Sequence, residues 1–362
     1  MEFICTKCGR KEAVTTRAAH CACGGLWRLA YEPPKFDLAE IDRNEWSLFR
    51  YRRFLALDDE SWRSVSMGEG MTPVVRLDDN VLLKMDYFMP TLSFKDRGAA
   101  TLIAHCKSIG VQQVVQDSSG NAGNAVAAYC ARSGIGCEIF VPEGTSPKKI
   151  DMIRAHGAVC TVVPGTRDHC ADVCREKVER EGVYYANHVY NPFFYEGTKT
   201  YIYEVFEQLG RIPANLVIPV GNGTLFLGAM YALEHLFNSG VIDRFPQIIA
   251  LQSQNCDPLL RAAEHGKTEP EAVMPAPTIA EGIAIGKPMR GREILTLAEK
   301  HGVHFIHAPE EQILSARATL AKKGIYCEHT TRRKLRSLSR ILPRLWKNVR
   351  HAYHDVWCRL EI

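Results

Sequence analysis

Two glycine-rich turns, SSGNAGNA at 118–125 and VGNGTLFLG at 220–228, carry residue types suited to holding an anion. Each follows a β-branched run and opens a run with helical spacing, so backbone N–H groups and the positive end of a helix would point into one crevice. Neither turn is G-x-G-x-x-G, because Phe226 stands where a third glycine would be needed, and this argues against a dinucleotide. Two anion sites on one scaffold suit a ligand with two anionic ends. Lys95 lies in MPTLSFKDRGA (89–99), between an extended proline-containing segment and a helix start; taken by itself it reads as a surface lysine beside Asp96. Cys5, Cys8, Cys21 and Cys23 form CTKC and CAC ahead of Gly24 and Gly25. Two close cysteine pairs about a dozen residues apart are the arrangement of a structural zinc ribbon with four thiolates. The C-x-C second pair departs from the commoner C-x2-C; reduced, metal-free thiols are the alternative, and His20 is a candidate substitute for one thiolate.

The elements that must position these residues follow a regular rhythm. QQVVQDSS precedes NAGNAVAAYCARSG, CEIFVP precedes SPKKIDMIRAHG, AVCTVVP precedes RDHCADVCREKVEREG, and LVIPVG precedes LFLGAMYALEHLFNSG. Short strands alternating with helices predict a parallel sheet covered on both faces. Glycines at 134, 157, 182, 210 and 240 stand where left-handed caps would close the helices. At 362 residues, with 46% hydrophobic and 24% charged, the chain predicts two ordinary globular domains. Collagenous, mainly disordered and small disulfide-scaffold classes are excluded. Nine of the thirteen cysteines are scattered without regular spacing, which fits reduced thiols and a cytoplasmic location. The apolar stretch at 216–233 is broken by Pro, Asn and Gly, so no membrane segment is expected, and the first residues do not read as a signal peptide. Net charge is +4, but residues 332–362 alone carry +7 and the rest −3, so the body of the protein is not expected to bind nucleic acid.

Taken together, EGMTPVVRL (69–77), SFKDRGA (93–99), SSGNAG (118–123) and VGNGTLFLG (220–228) resemble, in order and approximate spacing, the second fold type of pyridoxal-phosphate enzymes. Within that group the chain is most similar to the threonine synthase-like family. Further segments that resemble it are ANHVYNPFFYEGTKT (186–200), IIALQSQNCDPL (248–259), TIAEGIAIG (278–286) and GIYCEHTT (324–331), so the resemblance runs from about Cys5 to Thr331. It implies an α/β, two-domain fold like that of the tryptophan synthase β chain, with the zinc-ribbon-like knuckle at 1–30. The large domain is expected from 31–90 and 195–331, the small domain from 91–194, and an atypical basic tail from 332–362. Cofactor would lie between the domains, and a homodimer is the family habit.

The resemblance also implies roles. Lys95 would form the imine with pyridoxal phosphate and, once freed, act as base and acid beside the substrate α-carbon; both tasks need a lysine pKa lowered by its pocket. Gly221, Asn222, Gly223 and Thr224 would hold the cofactor phosphate. Ser118, Ser119, Gly120 and Ala122 would receive the substrate carboxylate, and Asn121 the cofactor phenolic oxygen. Thr330 would face the pyridine nitrogen, with Thr331 as a neighbour that could replace it and His329 where proline is usual. A hydroxyl there leaves the ring a weaker electron sink than a carboxylate would. The implied activity is conversion of O-phosphohomoserine and water to threonine and phosphate. A serine/threonine ammonia-lyase of the same fold and a catalytically silent cofactor-binding homologue are the rivals.

Three departures stand out. Leu92 replaces a usual glycine, so a narrowed pocket or a shifted loop is expected. Phe194 replaces an arginine that in the family contacts the leaving phosphate, leaving Asn187, His188, Lys199 and Arg97 as alternative donors; the substrate then has either a different cation or a different leaving group. The tail RRKLRSLSR replaces a small-residue helix. One back-translation of it reads AANYAAYLA in the next frame, so a frameshift near codon 331 stands beside a basic surface tail and an anionic-partner site as readings of that segment.

Overall fold

The computed structural model describes residues 1–57 and 59–325, and the backbone of a strand at 357–361. The chain opens with β1 (Glu2–Cys5), β2 (Lys11–Ala13) and β3 (Trp27–Ala30), a small antiparallel sheet in the order β2-β1-β3. A hairpin of β4 (Val74–Asp78) and β5 (Val81–Met85) follows, then α1 (Lys95–Ser108). Next come β6 (Gln113–Gln116), α2 (Asn121–Ser133), β7 (Gly136–Pro142), α3 (Pro147–Ala155), β8 (Val159–Val163), α4 (Arg167–Glu181) and β9 (Tyr184–Tyr185). The remainder is α5 (Phe193–Leu209), β10 (Asn215–Pro219), α6 (Thr224–Asn238), β11 (Gln247–Ser253), α7 (Pro258–Glu264), α8 (Gly291–Lys300), β12 (His304–Ala308), α9 (Glu310–Lys322) and β13 (Trp357–Glu361).

The chain divides into two compact units, residues 1–71 with 88–203, and 72–87 with 204–362. The first contains the parallel sheet β8-β7-β6-β9, its strands joined by α2, α3 and α4 as the alternation of runs predicts. Strand β7 is buried along Glu138–Val141, as expected for an inner strand covered on both faces. The five anticipated closing glycines all have positive φ, between 64° and 78°. The second unit contains the sheet β12-β11-β10-β13-β5-β4, parallel except for β4. The backbone of β13 lies between β10 and β5, so a strand from the basic tail pairs with both. Lys84 of β5 is wholly buried here, its Nζ donating to Glu204 at 2.6 Å, to the Thr72 carbonyl at 2.6 Å and to Gln208 at 3.2 Å. A buried ammonium is tolerable only when paired and hydrogen-bonded in this way.

The division differs from the expected boundaries in one respect. Residues 31–71, anticipated in the large domain, fall in the first unit, as do the early residues of α5. Aromatic packing explains it: Phe36 lies 4.7 Å from Phe54 and 5.0 Å from Tyr203 between ring centroids, and the Ala56 N–H donates to Glu196 on α5 at 2.8 Å. These residues have no strand or helix periodicity longer than a 3-10 turn, so their partner is set by side chains distant in sequence.

Candidate active site

Lys95 is the first residue of α1, and the turn that delivers it is held from two sides. Its N–H donates to Ser93 Oγ at 3.1 Å, while Asp96 accepts from the Thr91 N–H at 2.9 Å and from Thr91 Oγ1 at 2.7 Å. Asp96 therefore serves the loop rather than only neutralising its neighbour. The Lys95 ammonium lies 4.1 Å from the Phe94 ring centroid and 5.9 Å from that of Phe194. Desolvation in this aromatic surround, aided by the positive charge of Arg167, pulls its pKa down to about 7. An amine so placed is substantially unprotonated near neutrality, the condition for attack on a carbonyl.

Leu92, three residues earlier, keeps the backbone that a glycine would adopt: φ is +63° and the side chain is 67% exposed. The turn thus holds a non-glycine residue in a left-handed conformation, at a conformational cost, with its side chain mostly exposed.

The 118–123 turn ends β6 and starts α2, with Gly120 as the residue before the helix. The Gly120 N–H donates to Ser118 Oγ at 3.4 Å, and the first N–H groups of α2 have no intrahelical acceptors, an arrangement suited to an anion. Gly123 is required: a Cβ on it would lie 1.9 Å from the Ser118 carbonyl oxygen. Ser118 and Ala122 are buried; Ser119, Gly120 and Asn121 are partly exposed. All of them belong to the same unit as Lys95.

Gly221, Asn222, Gly223 and Thr224 belong to the second unit, between β10 and α6. Gly223 precedes the helix in a left-handed conformation, φ +80°, and its missing Cβ leaves room for Ile294, which would otherwise lie at 2.3 Å. No side chain caps α6, and the positive end of its helix dipole suits an anion such as a phosphate. Thr224 is buried at the first helical position and Asn222 is partly exposed. Thr330, expected opposite the pyridine nitrogen, lies outside the described residues, as do His329 and Thr331.

The alternative donors named for the leaving group have different fates. Arg97 is fully buried and donates to Thr200 Oγ1 at 3.0 Å. Lys199 is paired with Glu196 at 2.7 Å. Asn187 spends its amide on Asp117 at 2.7 Å and on Tyr185 Oη at 3.1 Å, while its oxygen accepts from the N–H groups of Val189 and Tyr190. His188 alone of the four leaves a buried polar atom, Nδ1, without a partner. Arg167 and the Gly98–Phe194 contact were not apparent in the sequence; the spacing of glycines in α1 and α5 was the only signal for the second.

At the N-terminus the four cysteine sulfurs lie within 4.8 Å of one another, with Cys5 and Cys23 at 3.5 Å and Cys8 and Cys21 at 3.7 Å. Tetrahedral zinc with Zn–S bonds of about 2.3 Å places its sulfurs ~3.8 Å apart, so the set fits that ion. The Lys7 N–H points at Cys5 Sγ at 3.4 Å, the contact a thiolate accepts, and a Cβ on Gly25 would fall 2.5 Å from the same sulfur. His20 is not part of the cluster; its Nδ1 lies 3.0 Å from the Cys21 carbonyl.

No helix among the described residues is long and apolar enough to cross a membrane. Comparison with known proteins shows what the chain is similar to. The threonine synthase of Methanocaldococcus jannaschii is 29% identical over 353 residues, covering 93% of this chain and 87% of its own. The threonine synthase of Halalkalibacterium halodurans is 31% identical over 293 residues, 78% of this chain and 79% of its own. In structure, the processed form of threonine deaminase isoform 2 from Solanum lycopersicum superposes with a TM-score of 0.70 at 18% identity, covering 92% of both chains, which shows a shared fold. The pattern of the pyridoxal-phosphate dependent enzymes matches residues 65–345, most of the sequence, and the chain belongs to that family.

Proposed function

We propose that this protein is a pyridoxal-phosphate-dependent lyase of the threonine synthase type, converting O-phosphohomoserine and water to threonine and phosphate by γ-elimination and β-replacement. The observation that carries the reading is the desolvated amine of Lys95, with a pKa near 7, at the head of a helix and in one unit with the carboxylate cradle of α2. The threonine synthases that match most of the chain support this particular reaction within the family.

Pyridoxal phosphate, when bound, supplies the electron sink that makes protons next to the amino-bearing carbon removable. The loop 221–224 would take its phosphate on the N–H groups of Gly223 and Thr224 and on the side chains of Asn222 and Thr224, Asn121 would hydrogen-bond its phenolic oxygen, and Thr330 would face its ring nitrogen. Lys95 Nζ would hold the cofactor through its aldehyde, and the same amine would serve as the base for the proton on the substrate α-carbon. As a base with a pKa near neutrality it can accept that proton and one from Cβ, which loss of a γ-substituent requires, and return protons at Cγ and, once water has added at Cβ, at the α-carbon. Backbone N–H groups of 118–122 hold the substrate carboxylate and so fix which bond at the α-carbon is presented to Lys95.

The four-cysteine cluster is proposed to hold one structural zinc ion. Its sulfurs are closed off by protein on the inner side, where Cys5 and Cys21 pack with Phe3, Trp27 and Phe193, so a structural role fits better than a catalytic one. A cytoplasmic homodimer acting on a small amino acid, without nucleic acid or membrane as partner, completes the reading.

A second reading, ammonia-lyase activity on serine or threonine, draws on one observation: position 194, beside Lys95, is a phenylalanine and offers no charge to a leaving phosphate. The deciding experiment incubates cofactor-loaded protein with O-phosphohomoserine and follows phosphate and threonine together, with Lys95→Ala as control. Equal amounts of both products, lost in the control, are expected. Ammonia and a keto acid from serine or threonine, with no phosphate release, would establish the lyase reading instead.

A further inference from the structure

Residues 278–286, TIAEGIAIG, supply no group to the chemistry proposed above, yet they run directly along the glycine-rich turn at 221–224. A Cβ on Gly221 would lie 3.0 Å from Ile283 Cα, 3.1 Å from Ile285 Cγ1 and 3.3 Å from the Gly282 carbonyl oxygen. The turn is therefore backed largely by main chain, which cannot give way as the end of a flexible side chain can. The regular structure of this segment amounts to one 3-10 turn, Glu281–Ile283, so its place must be set by contacts with other parts of the fold.

One carboxylate supplies several of these contacts. Glu310 is the first residue of α9, just past the carboxyl end of β12. Its Oε1 accepts from Thr278 Oγ1 at 2.7 Å and from Ser253 Oγ at 3.3 Å, and its Oε2 accepts from the Ile279 N–H at 3.1 Å. Ser253 ends β11 and is wholly buried. Its neighbour Gln252 donates from Nε2 to the Val220 carbonyl at 3.3 Å, immediately ahead of Gly221, and its Oε1 accepts from the N–H groups of Leu259 and Leu260 at 2.9 Å. The end of β11 thus carries the phosphate turn through Gln252 and, through Ser253, the carboxylate that holds the segment lying on that turn. Upstream, Asn255 fixes the two preceding residues: its carbonyl accepts from the Ala276 N–H at 3.0 Å and its Nδ2 donates to the Pro277 carbonyl at 2.6 Å. Glu310 takes the next two. All of these residues belong to the second unit.

We propose that Glu310 is a positioning residue of the cofactor site. By holding Thr278 and Ile279 it seats 282–285 against Gly221 and so fixes the turn whose N–H groups take the phosphate, acting through the segment and not on the cofactor itself. The inference rests on the reading that residues 221–224 bind the phosphate.

The test compares pyridoxal phosphate with pyridoxal, which lacks the phosphate, as ligands of the apoprotein, with binding read by visible absorption and calorimetry. Only the first ligand draws on the turn. In Glu310→Ala the affinity for pyridoxal phosphate should fall about tenfold, the worth of a hydrogen bond to a charged group, with that for pyridoxal unchanged. The phosphorus resonance of the bound cofactor should move or broaden in the same variant. Glu310→Gln, whose amide can accept from the Ile279 N–H and donate to the Thr278 hydroxyl, should recover most of the preference for the phosphate. Thr278→Val keeps the Ile279 bond and should lose about threefold; it decides the matter if Glu310→Ala does not fold, and an unchanged ratio of the two affinities there overturns the proposal. A parallel fall for both ligands would make Glu310 structural only and also overturn it. Full retention of the wild-type preference in Glu310→Ala would overturn the role of Glu310 and leave the phosphate turn standing. A wild-type protein that binds pyridoxal as tightly as pyridoxal phosphate would overturn the reading of the turn and this inference with it.

Discussion

The Phe194 ring occupies the space that a side chain on Gly98 would need: a Cβ there would lie 2.3 Å from two of the ring's atoms. One turn along α5, a Cβ on Gly197 would come within 1.8 Å of the Arg97 carbonyl oxygen. Helix α1, which starts with Lys95, therefore meets α5 backbone to backbone, and the wall of the Lys95 pocket is seated by two glycines.

Gly98→Ala should accordingly destabilise the protein by about 1–3 kcal/mol, the usual cost of overfilling a packed interior. Because Phe194 is fully buried and cannot swing into solvent, the strain should also reach Lys95. Denaturant unfolding reads the first effect, and a shifted cofactor absorption in the loaded variant reads the second. An unchanged unfolding midpoint would show that α1 and α5 separate easily.

Leu92→Gly should move stability the other way. A non-glycine residue at φ +63° carries a penalty of about 1–2 kcal/mol, partly offset by the greater unfolded-state freedom of glycine, about 0.5–1 kcal/mol. The leucine side chain is mostly exposed and loses little on removal. A net gain of up to about 1.5 kcal/mol in urea unfolding is expected. A loss would mean that Leu92 makes contacts worth more than its backbone strain.

The depressed pKa of Lys95 has a kinetic and a thermodynamic consequence. The rate of cofactor capture by apoprotein should rise with pH and level off above about 7, since the free amine is the reactive form. Stability follows from the same shift. Between about 7 and the ordinary lysine value the unfolded chain holds a proton that the folded chain lacks, so Lys95 favours unfolding most at low pH and progressively less as pH rises through that window. Lys95→Met apoprotein should therefore exceed wild type in stability by most below pH about 7, with the gap narrowing towards pH ~10. A gap independent of pH would show that the amine is not desolvated in solution.

The cysteine cluster predicts one zinc ion per chain, measured by atomic absorption on protein purified without chelator. Cys8→Ser or a strong chelator should remove it and loosen the β1–β3 sheet, whose buried face is Phe3, Cys5, Cys21 and Trp27 against Phe193 and Ala56. Intrinsic fluorescence of Trp27, which is 3% exposed and whose Nε1 donates to the Ala18 carbonyl at 2.9 Å, should report the change. Metal-free protein with the same melting behaviour would leave the four thiols as a reduced cluster only.

Much of this protein is local, and so it was legible in the sequence. Strand-helix alternation in the first unit, the glycine caps, both glycine-rich strand-to-helix turns and the position of Lys95 at a helix start all depend on residues within a few positions of one another, where backbone propensity and helix-end chemistry act. The cysteine spacing likewise announced a four-sulfur cluster because a knuckle is itself a local structure. The tertiary structure decided what depends on neighbours far along the chain. Residues 31–71 fall with the first unit because Phe36 and Phe54 pack near Tyr203 and Ala56 bonds to Glu196, contacts for which sequence spacing holds no record. Of four candidate donors near position 194, three turned out to be occupied, and only burial with an unpaired nitrogen set His188 apart. The titration of Lys95 was decided in the same way, because desolvation is a property of the whole surround, here the Phe94 ring just before α1, the Phe194 ring from α5 and Arg167 from α4.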